Sequence, residues 1–268
     1  MLGSPIAHSL SPVLHEAAYR ELGLSDWHYR AVECDEAALA ATLRSLEAEG
    51  LAGASLTMPL KRAVLPMLAR SDRLVADVGA ANTVLFGGVE GDWWGANTDV
   101  PGMVAALRSA GVSRVARACV LGGGATAASA IAALRDLGVG SCVVCVRRPK
   151  ASAYLEEVAA RVGVPLEVRT WDEAPGLCGE VPTVIATTPA GATDELAGVV
   201  QPRAGAVLFD VVYAPWPTAL AAAWSSRGGR VVGGLELLVE QAAEQVRLMT
   251  GLEPPVAAMR AAGEAALG

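Results

Sequence analysis

Apolar positions change their rhythm along this chain. Over the first hundred residues, short apolar runs alternate with helical stripes. Ser11-Pro12 followed by Val13, Leu14, Ala17, Ala18 and Leu22 predicts a helix with proline in its first turn, where a missing N–H loses no partner. Leu39, Leu43 and Leu46 after Asp35 form a second stripe at helical spacing. Ala52 to Thr57 predicts a strand, and Asn82 to Phe86 with Trp93 to Ala96, around a Gly-Gly turn, predict a hairpin or paired strands. From about Pro101 the alternation becomes regular. Strands are expected at 118–121, 141–146, 166–169, 183–187 and 206–212, with helices at 126–137 and 153–162. Such a pattern predicts a parallel sheet covered on both faces. Leu235 to Gly251 and Pro255 to Leu267 predict two final helices that return to the first domain. The fold class is α/β, in two domains.

Composition narrows the functions. The chain has 268 residues, 53% of them hydrophobic, enough to fill one large or two modest cores. Its net charge of -7 excludes the basic face of a nucleic-acid binder, so any anionic ligand must be held by a few placed cations and backbone amides. The most apolar stretch, Ala118 to Leu134, carries three consecutive glycines and ends at Arg135, short of the ~20 residues a bilayer span needs. No basic, then apolar, then small-residue leader opens the chain, so no secretion signal is expected. Five cysteines without a framework spacing suit a reducing cytoplasm. Met1-Leu2 leaves almost no first strand before Gly3, so either a late start or a truncated sheet edge is expected. Cys142 and Cys145 form a CxxC inside a strand-like run, where residues three apart face opposite ways and their sulfurs stay separate. His8 and His15 lack a third ligand, so no metal site is expected. Trp93 and Trp94 read as packing residues of the hairpin.

The run Val120-Leu121-Gly122-Gly123-Gly124-Ala125-Thr126-Ala127 satisfies G-x-G-x-x-A between a strand and an alanine-rich helix. Only residues without Cβ let the backbone approach a pyrophosphate, which then rests on the helix N-terminus. Dinucleotide binders that prefer NAD place an acidic residue about 20 positions beyond the loop, on the ribose 2′-hydroxyl. This chain has Arg147 and Arg148 there, with no Asp or Glu between Ser141 and Lys150. A guanidinium grips a 2′-phosphate that a carboxylate would repel, so NADP(H) is preferred over NAD(H).

Seven blocks in order resemble the shikimate dehydrogenase family across nearly the whole chain. They are Gly3-Ser4-Pro5-Ile6-Ala7-His8-Ser9-Leu10-Ser11-Pro12 with His15, Gly53 to Lys61, Gly79-Ala80-Ala81-Asn82-Thr83, Gly95 to Gly102, Thr187-Thr188-Pro189-Ala190-Gly191, Asp210 to Pro215, and Gly234 to Gln241. The resemblance implies an N-terminal α/β substrate domain over 1–100, completed by the C-terminal helices 235–268, and a Rossmann-like NADP-binding domain over 101–234. It implies reversible reduction of 3-dehydroshikimate to shikimate in chorismate and aromatic amino acid biosynthesis, by a cytoplasmic monomer or homodimer. By the family pattern, Lys61 and Asp99 are the catalytic pair. Ser9 and Ser11 hold the substrate carboxylate with Tyr213 nearby, and Thr57, Asn82, Asp99 and Gln241 bind its hydroxyls. Gly122, Gly123, Gly124, Ala125, Thr126, Arg147, Arg148, Thr188, Gly234 and Leu237 lie along the cofactor.

Three departures from the family pattern stand out. Ser55 replaces the usual Asn, giving a shorter substrate contact; Glu16 replaces an Asn after the histidine position; and Val146-Arg147-Arg148 replaces the commoner Asn-Arg-Thr, which changes the adenine side. Two other functions compete. A quinate/shikimate dehydrogenase with NAD or dual cofactor use shares every motif. A non-catalytic NADP-binding regulator would have lost Lys61 or Asp99, and both are present.

Overall fold

In the computed structural model, which describes residues 1–268, the chain divides into two units: Met1–Gly102 with Leu238–Gly268, and Met103–Leu237. The first unit opens with β1 (Leu2–Gly3), α1 (Ser11–Glu21), β2 (Val32–Glu33), α2 (Leu39–Ala48), β3 (Gly53–Ser55) and α3 (Leu60–Ala63). It continues with β4 (Arg70–Ser71), α4 (Arg73–Val78), β5 (Thr83–Phe86) and β6 (Trp93–Ala96). Proline sits in the first turn of α1, as its spacing predicts. The expected hairpin is β5 paired antiparallel with β6, within a four-stranded sheet of order β3-β5-β6-β4. β1 is only two residues long, yet it pairs parallel with β2 and bridges from Leu2 to Leu56, beside β3. Leu2, Leu39, Leu43, Leu56, Leu60 and Trp93 pack into one buried cluster behind these strands.

Helix α5 (Asp99–Ser109) carries the chain into the second unit. There β7 (Arg117–Leu121), α6 (Ala125–Asp136), β8 (Ser141–Val146), α7 (Tyr154–Val162), β9 (Leu166–Thr170) and α8 (Ala174–Glu180) follow one another. Then come β10 (Thr183–Ala186), α9 (Asp194–Ala197), β11 (Val207–Asp210), α10 (Ala219–Ser226) and β12 (Arg230–Val232). The six strands form one sheet in the order β12-β11-β10-β7-β8-β9, parallel throughout. β10 and β11 are buried at every position, which is why they read as continuous apolar runs and not as alternating ones. The order reverses between β7 and β10, the switch point at which open α/β sheets bind ligands. In α6, Ala127 to Leu134 are all buried, and the alanines among them allow close packing of helix on sheet. Helix α11 (Gly234–Thr250) leads back to the first unit, where α12 (Val256–Leu267) packs against α1.

The structure departs from the pattern in its small elements. β12 and the short helices α3, α4, α8 and α9 have no apolar run of their own long enough to announce them. Cys142 and Cys145 sit on β8 and keep their sulfurs apart; Cys145 Sγ lies 3.8 Å from Cys119 Sγ, which is 3.6 Å from Cys178 Sγ. All five thiols are free and buried, and burial pushes the Cys142 thiol up to about 12. No helix is long and apolar enough to cross a membrane.

Candidate functional site

The first unit gathers a polar cluster from four elements. Lys61 stands in α3 and Asp99 is the first residue of α5; Lys61 Nζ donates to Asp99 Oδ2 at 2.5 Å, with side chains only 14% and 6% exposed. A nearly dry ion pair needs its remaining lone pairs satisfied, and Asn82 does this for Asp99. Its Nδ2 donates to Asp99 Oδ1 at 2.9 Å, to Thr98 Oγ1 at 2.9 Å, and more loosely to Gln241 Oε1 at 3.5 Å. Asn82 is itself fixed because its Oδ1 accepts from Thr98 N at 2.8 Å. Asn97, not Asp99, caps α5: its Oδ1 accepts from Val100 N at 3.2 Å, leaving both Asp99 oxygens to Lys61 and Asn82. Lys61 is anchored through its backbone, whose carbonyl accepts from Ala81 N at 2.8 Å.

A second layer was not foreseen in the sequence. Ser55 Oγ, at the end of β3, accepts from Tyr29 Oη at 2.6 Å and donates to Gln245 Oε1 at 2.9 Å. Gln245 in turn donates to Thr83 Oγ1 at 3.1 Å. The proton of Ser55 is therefore committed to Gln245, and only an acceptor lone pair remains for anything else. Tyr29 and Gln245 lie 26 and 190 residues from Ser55, a separation that no local motif reports.

Ser9 and Ser11 sit at the start of α1, where Ser11 N donates to Ser9 Oγ at 3.3 Å. Ser11 Oγ is buried and has no hydrogen-bond partner in the chain. Thr57 follows β3 and is half-buried, and Gln241 on α11 donates to Leu238 O at 2.9 Å. Tyr213 belongs to the second unit, just beyond β11.

His15 is fully buried in α1, stacked on Tyr29 with ring centroids 3.8 Å apart; its Nδ1 lies 3.0 Å from Ser11 O. Burial lowers its pKa to about 3. Below about pH 6.5 the unfolded chain takes up a proton at this histidine that the folded chain does not, so stability falls with falling pH at up to ~1.4 kcal/mol per pH unit for this group. The contribution is complete above the unfolded value and lost as pH falls toward the folded one. A His15→Leu chain should therefore lose roughly 2 kcal/mol less than the native chain between about pH 7 and about pH 5, read from urea unfolding midpoints. Equal losses in both chains would remove this histidine from the acid sensitivity.

In the second unit, the glycine loop joins β7 to α6. Gly122 has φ +118, and a Cβ there would meet Thr187 Oγ1 at 2.6 Å, so the turn requires glycine. Gly122 N donates to Cys145 O, and Thr187 Oγ1 donates to Leu121 O, tying the loop to β8 and to the end of β10. Tyr154 Oη donates to Gly123 O at 3.1 Å, another contact that the spacing does not predict. Gly124 has nothing within 4 Å of where a Cβ would stand, and Ala125 and Thr126 open the helix with amides that have no intrahelical acceptor. That open, amide-lined step fits a pyrophosphate. Arg147 and Arg148 follow β8, exposed and with no partner in the chain. Thr188 follows β10, its methyl 3.2 Å from the Cβ position of Gly122. Gly234 starts α11 where a Cβ would lie 2.1 Å from Val211 O, and Leu237 is buried one turn on.

A parallel sheet with its glycine turn at the switch strand, together with a buried lysine–aspartate pair, defines the class: an α/β oxidoreductase of the Rossmann type. Residues 1–84 match the shikimate dehydrogenase substrate-binding domain, and residues 234–262 match the shikimate 5′-dehydrogenase C-terminal domain. The chain belongs to the shikimate dehydrogenase family. It is 34% identical to a shikimate dehydrogenase (NADP(+)) from Synechococcus sp. (strain JA-3-3Ab), over 98% of this chain and 91% of that one. The structure of shikimate dehydrogenase from Mycobacterium tuberculosis superposes with a TM-score of 0.84 at 39% identity, covering 98% of this chain and 97% of that one. That of shikimate 5-dehydrogenase from Thermus thermophilus, in complex with NADP(H) and shikimate, gives 0.84 at 32% identity, covering 99% and 98%.

Proposed function

We propose that the chain catalyses the NADPH-dependent, reversible reduction of 3-dehydroshikimate to shikimate, with Lys61 and Asp99 as its catalytic pair. The observation that carries this is the 2.5 Å contact between two enclosed opposite charges, bordered by Asn82 and Gln241. Membership in the family and the NADP(+) named for its Synechococcus relative support the cofactor. When bound, the nicotinamide supplies a hydride to the ketone carbon. The oxygen that gains charge in that step is stabilised and then protonated by the Lys61 ammonium, a contribution of roughly 10²–10⁴-fold in rate. Asp99 orients the lysine and accepts from a substrate hydroxyl, while Asn82, Thr57 and Gln241 hold the others. Ser9 and Ser11 receive the carboxylate at the start of α1, where free amides favour an anion, with Tyr213 nearby. Ser55 serves as an acceptor for a hydroxyl or a bridging water. In this reading residues 1–100 with 235–268 form the substrate domain and residues 101–234 the cofactor domain. There Gly122, Gly123, Gly124, Ala125 and Thr126 would hold the pyrophosphate, Arg147 and Arg148 the 2′-phosphate, and Thr188, Gly234 and Leu237 the rest of the cofactor.

The test is an assay of the purified chain with shikimate and quinate, each with NADP and NAD, and with 3-dehydroshikimate plus NADPH. Consumption of NADPH by 3-dehydroshikimate, and the highest kcat/KM for shikimate with NADP, is the expected result. Quinate oxidised with NAD at an equal or higher kcat/KM would replace this reading with a quinate or dual dehydrogenase.

A further inference from the structure

Gln245 stands one turn beyond Gln241 on α11, so the two side chains leave the same face of the helix. Gln241 Oε1 meets the Asn82 side chain at Nδ2, whereas Gln245, only 1% exposed, meets the same residue at its backbone. Gln245 Nε2 donates to Asn82 O at 3.4 Å and to Thr83 Oγ1 at 3.1 Å, and its Oε1 accepts from Ser55 Oγ at 2.9 Å. Two backbone groups fix the direction of every proton in this network. A carbonyl only accepts, so Asn82 O turns the Nε2 end of Gln245 toward itself and Thr83, and leaves Oε1 to Ser55. An amide N–H only donates, so Thr98 N, 2.8 Å from Asn82 Oδ1, turns Asn82 Nδ2 toward Asp99. Thr83 Oγ1 sits between the two side-chain amides, 3.0 Å from Asn82 Oδ1. It accepts from Gln245 and has one proton to give, and Asn82 Oδ1 is its acceptor.

The donors therefore run one way: Tyr29 to Ser55, Ser55 to Gln245, Gln245 to Thr83, Thr83 to Asn82, and Asn82 to Asp99. Burial pushes the Tyr29 phenol above its ordinary range, so the chain begins at a group that keeps its proton. We propose that Gln245 is a positioning residue for the reaction at Lys61 and Asp99, acting through Thr83 to hold the Asn82 amide with its donor end on Asp99. The inference rests on the reaction proposed above and gives that site a residue that lies outside every family block. Hydrogen bonds that share a direction reinforce one another in a low-dielectric interior, and the last donor of this series points at the carboxylate that orients the lysine. Loosening Asn82 frees Asp99 to turn, and with it the ammonium, a misplacement that costs more in the transition state than in binding.

The test compares kcat and KM for shikimate oxidation with NADP in the native full chain, Gln245→Met, Thr83→Val and the double variant. Each single change is expected to lower kcat about tenfold, with KM for NADP within about twofold of native. Because the two residues act in series, the double variant should lose no more than the worse of the single ones. Thr83→Ser keeps a hydroxyl that both accepts and donates, and its kcat should stay within about twofold of native. A native kcat in Gln245→Met, even with a lowered unfolding midpoint, would confine the residue to packing and overturn the inference. Losses that multiply in the double variant would overturn it as well. Should Gln245→Met fail to fold, the Thr83 variants decide: a native kcat in Thr83→Val overturns the inference, and a loss that Thr83→Ser does not share supports it. A native chain that does not oxidise shikimate with NADP would overturn the proposed reaction itself, a result read before any variant is made.

Discussion

Replacing Lys61 with alanine is expected to reduce turnover by roughly two to four orders of magnitude, with a much smaller change in KM for shikimate. The expectation follows from the role proposed for the group: an ammonium that stabilises charge appearing on the substrate oxygen contributes in the transition state, not in the bound ground state. The same substitution strips Asp99 of its counter-ion. Asp99 is 4% exposed and would keep only Asn82 as a partner. Removing one member of a buried pair costs about 3–5 kcal/mol where the remaining charge stays enclosed. Kinetics and thermal unfolding therefore belong together, and Asp99→Asn in the Lys61→Ala background separates the two effects. It should recover stability without recovering turnover. If Lys61→Ala alone retained native turnover, the catalytic assignment would be wrong while the fold would stand.

Arg147→Ala with Arg148→Ala is expected to raise KM for NADPH by one to two orders of magnitude and to leave KM for NADH within about twofold. A charge-assisted hydrogen bond contributes about 1.5–3 kcal/mol, and in the proposed cofactor site it would be directed at a phosphate that only NADPH carries. Both side chains are exposed and without partners in the chain, so their removal leaves no buried group behind and the fold should not suffer. The native preference should also shrink with added salt, since exposed charges are screened. An unchanged ratio of the two KM values would move the 2′-phosphate elsewhere.

How far the sequence carries can be read from particular residues. The β7–α6–β8 unit was legible because a buried strand, a glycine turn and an alanine-rich helix each leave a local signature of the right length. Lys61, Asp99 and Asn82 were legible only through the family blocks, since nothing in their own neighbourhoods says that α3, β5 and α5 converge. The Tyr29–Ser55–Gln245 chain of hydrogen bonds was hidden, because it joins three distant segments through side chains. The opposite-face argument for Cys142 and Cys145 was sound but could not locate Cys119, which meets Cys145 from a neighbouring strand, or Cys178, which meets Cys119 from a helix. β12 is three residues long and escapes any periodicity.

The enclosure of α6 has a consequence for nucleotide arrival. A helix whose residues from Ala127 to Leu134 all lie inside has no free flank on which to tilt or slide. In the proposed cofactor site its first amides would act as a fixed mooring, already aligned before any phosphate comes. Adjustment to the incoming molecule must then be made by the solvent-facing arginines and the parts beyond them, while the anchor point itself holds still.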